Sequence, residues 1–458
     1  MAYFTEIQNT LKEVFRRLRK RDFSGYAGLT LKNSIYQISI NFVAKIGALI
    51  FTVILARLLM PELFGLYSLA LSTIFIFVSF SDFGINQTLT RFASVSIGKN
   101  NLKKAKGYFV YLSKIKLVLI LFSILLLTVS ANFISNNYYQ KPLFLALIFG
   151  SFYILFSGIA VMLKASFEAI NDFKIIFYQE VVFQLFRILV IPLAIIFIMK
   201  NAFSDGMVVS YIILGLSLSY LISFIFFLSN HRKISFFKEK AATLPKTEKT
   251  KLKKFILAIF FIILSGVFFS YIDKIMLGYF VEAEFIGYYS AVFSLISAAS
   301  ILISFSPALL PIFSRLNKKK LSLLYKKTIG IVSIFSILLA IFVLVFSSWI
   351  IRIVFGENYL PAIGILRLFS IMLILIPVIS LLATYLVASG KPEIISKFLI
   401  LSTIMNILLN YILISKLVIF GQIFAVYGSV AATIISNAFY LSSLVIYKNK
   451  TERSNPIS

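Results

Sequence analysis

Apolar runs of about 20 residues or more alternate with short polar gaps along almost the whole chain. A run of that length suits a helix crossing a bilayer; a membrane barrel strand needs only about 10 residues with strict alternation. The pattern predicts an all-α integral membrane protein with about twelve spans, at 34–59, 63–88, 108–130, 142–165, 175–199, 206–228, 255–279, 285–310, 328–350, 363–388, 393–415 and 421–446.

The pattern also repeats. ELFGLYS at Glu62–Ser68 returns as EFIGYYS at Glu284–Ser290, 222 residues later, with four of seven positions identical. Each copy follows a run that carries a cation near its end, Arg57 in the first and Lys274 in the second. A weaker correspondence pairs LKASFEAINDF (163–173) with LATYLVASGKP (382–392). Spans 1–6 therefore match spans 7–12. Six is even, so the two repeats share one orientation, related by an axis near the membrane normal. The expected division is a basic amphipathic segment 1–33, an N-lobe 34–228, a basic linker 229–254, a C-lobe 255–447 and a tail 448–458. Glu62 and Glu284 suit the first turn of a helix, where an acid meets the positive end of the dipole. With Gly65 and Gly287, which permit close packing, they make the motif fold-forming rather than ligand-binding.

Composition agrees with the bilayer. The chain is 60% hydrophobic and 14% charged, with a mean hydropathy of +0.96; a soluble domain is about a quarter charged. It has no cysteine, which excludes disulfides and thiolate metal sites, and its one histidine, His231, falls in a polar gap. Catalytic candidates are few. The net charge of +28 would suggest nucleic acid in a soluble protein, but these charges sit between the apolar runs. With the N-terminus inside, 34 Lys and Arg fall in cytoplasmic segments and 4 (Lys141, Lys200, Arg352 and Lys416) on the opposite face. This positive-inside bias predicts cytoplasmic termini and membrane lipid, not nucleic acid, as the partner of the basic surface. Residues 4–18 read as a basic amphipathic helix lying on the inner leaflet. No cleavable signal peptide is expected.

Charges inside the spans carry the candidate chemistry, because each costs about 2.5–3.5 kcal/mol near the bilayer centre on insertion scales. The cations are Lys45, Arg57, Lys114, Lys116, Arg187, Lys274 and Arg367, against three acids, Asp82, Glu180 and Asp273. Lys114 and Lys116 lie in the first turns of their span and are expected to snorkel. Arg57 and Arg367, near the far ends, suit either anchoring or function. Lys45 and Arg187 are roughly 17 Å into their spans at about 1.5 Å per residue, too deep to reach the headgroups. Gln37, Asn41 and Lys45 form one polar stripe. Glu180, Gln184 and Arg187 form another, in which Glu180 and Arg187 could simply pair. Lys274 and Arg57 stand at matching places in the repeats and suggest a common anion site. Asp82 and Arg91 bracket the inner end of span 2, as a clamp or a gate.

ARLLMPELFGLYSLA (56–70), SDFGINQTLTRFAS (81–94), DKIMLGYFVEAEFIGYYSA (273–291) and NILLNYILISKLVIFGQIFAVYGSVAATIIS (406–436) together resemble the polysaccharide flippases. That family belongs to the multidrug/oligosaccharidyl-lipid/polysaccharide exporter superfamily, and the similarity is to its O-antigen flippase (Wzx-type) branch, spanning about 30–447. The resemblance implies two six-helix lobes in a V, as in the MATE-like fold. It also implies alternating access and passage of an undecaprenyl-diphosphate-linked sugar unit across a bacterial inner membrane, in contact with glycan polymerase machinery. Twelve spans suit this branch better than the peptidoglycan-precursor flippases, which usually have fourteen.

Charge sign separates the functions. A diphosphate head needs cations, arginine above all for bidentate contact; an exporter of organic cations needs acids. The excess of in-span cations favours the flippase over a drug antiporter of the same fold. A membrane polymerase or acyltransferase would need catalytic residues and a sizeable far-side loop, and neither is visible. The expected cavity set is Lys45, Arg187, Arg57, Lys274 and Arg367, supported by Gln37, Asn41, Glu180 and Gln184. Asp82, Arg91 and Asp273 are candidates for a gate or for coupling to Na+ or H+. No cofactor is expected.

Overall fold

The computed structural model describes residues 25–201, 203–303, 309–310, 313–314 and 316–454. The expected amphipathic helix at 4–18 lies outside them. The architecture is all-α, with no strand among the described residues. The helices are α1 Gly25–Asp82, α2 Ile85–Gly98, α3 Leu102–Asn132, α4 Phe144–Ala169, α5 Phe173–Lys200, α6 Asp205–Ser229, α7 Lys246–Phe280, α8 Ala283–Ile303, α9 Lys318–Val345, α10 Ser347–Val354, α11 Ile363–Phe369, α12 Met372–Ala388, α13 Pro392–Leu417 and α14 Gln422–Ser454.

Among the described residues, nine helices are long and apolar enough to cross a membrane, or ten if Glu357–Phe369 and Met372–Ala388, bent by 45°, form one span. One of the nine, Lys32–Gly98, holds the first two predicted spans. They part at Met60, whose φ of 59° and ψ of 173° belong to a region used almost only by glycine. Pro61 enforces the break, since it lacks an N–H and its ring clashes with the preceding turn. The two halves of α1 then lie side by side, so that Thr52 and Ser68 line one cavity. The eighth predicted span corresponds to α8.

The lower end of span 2 differs from expectation. Instead of running to about 88, the helix stops at Asp82 and restarts at Ile85, with Phe83 (φ 50°) and Gly84 (φ 82°) between. A Cβ on Gly84 would lie 2.6 Å from the Ile259 side chain, so glycine serves both the turn and the close approach of α7.

In the first half α4 packs on α3 and α6, and α5 on α1 and α6. In the second, α13 packs on α14 and α7, and α12 on α9 and α14. The halves meet chiefly where α1 runs along α8 and α7. On α9, Ile331, Ile334, Phe335, Leu338 and Phe342 are exposed at helical spacing, an apolar stripe fit for lipid.

The segment between α6 and α7 is not a free strand of chain. His231–Lys233 and Ser235–Lys238 form 3-10 turns that bury Ile234 and Phe236. The Ala242 N–H then donates to Lys103 O at 3.0 Å, and Glu248 on α7 pairs with Lys104 and Tyr108 on α3. The face carrying these basic gaps is called the basic face below, and the opposite one the far face.

Candidate functional site

Three adjoining cavities occupy the protein's middle. An inner chamber of about 330 Å³ is lined by both halves of α1 and by α5, α7 and α8. A vestibule of about 620 Å³ lies toward the basic face. A side pocket of about 260 Å³ lies between α1, α4, α5 and α6. The chamber and vestibule share Phe75, Tyr153, Tyr220 and Tyr271 as a common wall.

Lys45, Arg187 and Lys274, which come from three helices and are up to 229 residues apart, all line the inner chamber. The Arg187 guanidinium lies 4.3 Å from the centre of the Phe51 ring, and its Nε is buried without a hydrogen-bond partner. An aromatic face holds the cation by its quadrupole but leaves the N–H groups unsatisfied. Lys274 Nζ sits 5.5 Å from the Tyr271 ring and 5.3 Å from the Phe293 ring. Lys45 is exposed to the cavity. No acid lines this chamber among the described residues.

The other stripe residues are placed differently. Glu180 accepts from Gln184 Nε2 at 2.8 Å, and both line the side pocket, whose wall Lys45 and Arg187 share. No ion pair joins Glu180 to Arg187 among the described residues, so the structural pairing open in the sequence is not made. Gln184 also faces Ala44 O at 3.4 Å. Gln37 and Asn41 are exposed on α1 nearer the basic face, outside the three cavities.

Two expected members of the anion set lie elsewhere. Arg57 Nε donates to Val354 O at 2.8 Å, and its terminal nitrogen reaches Ile353 O. These carbonyls end α10, where the last turn leaves its C=O groups unpaired and attracts a cation. Arg57 is therefore a bridge between the halves at the far face, and the symmetric pairing with Lys274 does not form. Arg367, also exposed, donates from Nε to Ser347 Oγ at 2.9 Å.

The far face is closed by further contacts between the halves. Tyr359 Oη donates to Ala56 O at 3.0 Å, and Lys141 Nζ to Gly278 O at 2.8 Å. Burial pushes the Lys141 ammonium below its ordinary pKa.

Asp82 does not pair with Arg91. Its Oδ1 takes Lys116 Nζ at 2.5 Å and Asn86 Nδ2 at 2.5 Å. Lys116 is buried in the interior rather than snorkelling, which corrects the expectation; only Lys114 is exposed. The reason is tertiary, because Asp82 from another helix meets it there. Arg91 stacks on Phe255 of α7 at 4.5 Å and, like Asp82, lines the vestibule.

Asp273 turns away from its neighbour Lys274 into the second half. Asn410 Nδ2 donates to Oδ1 at 2.7 Å, and Thr433 Oγ1 and Tyr289 Oη donate to Oδ2. The carboxylate is buried, bonded only by neutral groups. Beside it, both polar side-chain atoms of Asn406 are buried without partners.

Sequence reasoning missed the aromatic wall of Phe75, Tyr153, Tyr220 and Tyr271. With 23 Tyr and 49 Phe in the chain, no local pattern distinguishes these four.

Residues 30–317 match the signature of a family described as polysaccharide biosynthesis protein. No curated protein matches significantly. Among solved structures, the fold is similar to "Lipid II flippase MurJ, inward closed conformation" (TM-score 0.68, 16% identity, covering 90% of this chain and 87% of that one). It is also similar to an inward-facing multidrug resistance MATE family transporter of the MOP superfamily (0.58, 14%, 92% and 96%) and to a Vibrio cholerae MATE transporter (0.55, 12%, 94% and 98%). At these identities the likeness is one of fold, and the proteins that share it are transporters.

Proposed function

The chain belongs to the polysaccharide biosynthesis protein family, and on that premise we propose that it is a flippase for a polyprenyl-diphosphate-linked oligosaccharide. The substrate is an O-antigen or capsule-type repeat unit, carried across the bacterial inner membrane. One observation carries the reading: Lys45, Arg187 and Lys274 converge on a chamber that no acid lines among the described residues. None of the three forms an ion pair among the described residues, so the chamber offers three cations to a negatively charged ligand. A diphosphate suits it, with the unpartnered Arg187 Nε as a ready donor. An exporter of organic cations would place an acid where these three stand.

In this reading the basic face is cytoplasmic, as the charge bias predicts. The head enters through the vestibule while the prenyl chain stays in lipid. The lobes 34–228 and 255–447 then rock, parting the far-face contacts of Arg57, Tyr359 and Lys141. Asp273 is the acid best placed to couple transport to H+ or Na+, since it is buried and its hydrogen bonds come from neutral donors. Glycan polymerase machinery is the expected partner on the periplasmic side.

The experiment is a transport assay on Lys45→Ala and Arg187→Ala in membranes with matched protein levels. Each variant is expected to lose most of its transport; normal transport by both would sink the cationic-chamber reading.

A further inference from the structure

A fourth cavity, of about 510 Å³, lies on the outer side of the first half, between the start of α5 and the end of α6. It shares no lining residue with the chamber, the vestibule or the side pocket. Its two ends differ in chemistry. At the basic-face end stand Lys174, the second residue of α5, and Lys233, just after α6. Both are exposed, and neither forms an ion pair among the described residues. A 3-10 turn fixes the backbone of Lys233: its N–H donates to Asn230 O at 3.0 Å, and the next residue, Ile234, is fully buried. Lys174 Nζ lies 5.9 Å from the centre of the Tyr178 ring. Asp172 also lines the groove, but its carboxylate caps α5 by accepting from the Ile175 N–H. Asn230 gives its Nδ2 to Phe226 O at 2.9 Å, which leaves its Oδ1 to accept from an O–H. The deeper end is apolar. Tyr178 and Val182 line it while 50% and 37% exposed to the outside. They begin a stripe of exposed side chains that continues down α5 through Leu185 and Leu189 at helical spacing. At about 1.5 Å per residue the stripe is roughly 16 Å long, the depth of one leaflet of a core about 30 Å thick.

We propose that this groove holds an anionic phospholipid of the basic-face leaflet, of the phosphatidylglycerol type, as a fixed lipid rather than as cargo. Its phosphodiester lies between the Lys174 and Lys233 ammonium groups. Its headgroup hydroxyl donates to Asn230 Oδ1, and one acyl chain runs down the α5 stripe. The groove has the order of a lipid, with cations at headgroup level and an apolar wall beneath. Charge sign chooses among lipids, because a zwitterionic headgroup would bring a third ammonium beside the two lysines. A soluble phosphate ester would leave Tyr178 and Val182 facing water. The lipid ties the start of α5 to the turn after α6, outside the cavities between the halves. This holds whichever cargo the chamber takes.

The test is native mass spectrometry of the detergent-solubilised full chain, titrated with phosphatidylglycerol or with phosphatidylcholine of the same acyl chains. The wild type is expected to retain one phosphatidylglycerol about tenfold more strongly than phosphatidylcholine. The double variant Lys174→Gln with Lys233→Gln should bring the two lipids within about twofold of each other. Val182→Trp, which fills the apolar end, should weaken phosphatidylglycerol severalfold with both lysines in place. Lys238→Gln with Lys240→Gln removes the same charge from exposed positions outside the groove and should leave the preference unchanged. Excess inorganic phosphate should not displace the lipid. The site is overturned if the wild type shows no preference, if the Lys174 and Lys233 variant keeps it in full, or if the Lys238 and Lys240 variant loses as much. Unchanged retention by Val182→Trp, or full displacement by phosphate, would overturn the lipid as its occupant.

Discussion

Gly65 and Gly287, the shared glycines of the repeated motif, pack against each other's half of the protein. A Cβ on Gly65 would overlap the Ala283 carbonyl and approach the Gly287 nitrogen; one on Gly287 would overlap the Pro61 carbonyl. Both obstacles are backbone, which cannot step aside as a flexible side chain can. The motif that marks equivalent points in the two halves is also where those halves touch, above the inner chamber.

Gly65→Ala and Gly287→Ala should each strain this crossing by about 1–3 kcal/mol, as overpacking does. The expected result is a leak at the far face. The chain has no cysteine, so Thr52→Cys in the chamber wall gives a clean reporter. A membrane-impermeant maleimide added from the far-face side should label it faster in the alanine variants. Unchanged labelling would show that the crossing does not seal that side.

Arg57 spans the same face by hydrogen bonds to the end of α10. A hydrogen bond to a charged group contributes about 1.5–3 kcal/mol. Arg57→Ala should therefore raise far-side labelling of the same cysteine while leaving affinity for a diphosphate probe within about twofold, because Arg57 is outside the chamber. A large loss of affinity would return Arg57 to the binding set.

The Asp82–Lys116 pair gives a stability prediction. Removing one partner of a buried pair costs about 3–5 kcal/mol, because the other charge is stranded. Lys116→Met should lower the detergent melting temperature markedly, and the double variant Asp82→Asn with Lys116→Met should recover much of the loss. Equal damage in the single and double variants would mean that the pair is not the cause.

Asp273 accepts from three neutral donors on three other helices. In Asp273→Asn one carboxylate oxygen becomes an amide that faces donors, at a cost of about 1–3 kcal/mol. Transport should persist weakly or not at all, and what persists should no longer respond to a Na+ or H+ gradient. Asp273→Asn transport that keeps its full gradient response would exclude Asp273 as the coupling acid.

Arg57 and Lys116 show where sequence reading stopped. Both were visible as in-span cations, and depth alone suggested that Lys116 would snorkel. The nearby Asp82 keeps it inside, and that pairing is 34 residues away in the chain. Arg57 matched Lys274 in the repeat, yet it meets carbonyls 296 and 297 residues on. The tyrosine wall carried no local signal at all.

By itself the sequence determined the all-α membrane class, the repeat and the surplus of cations within the spans. Span length, charge cost in lipid and helical spacing are local properties, so each run carries its own evidence. Tertiary structure alone decided which cations share a chamber. Lys45, Arg187 and Lys274 converge because three separate helices turn them to one void, while Arg57 is drawn off by the open end of α10. A buried charge must be met by whatever polar group lies nearest in space, and chain order does not say which group that is.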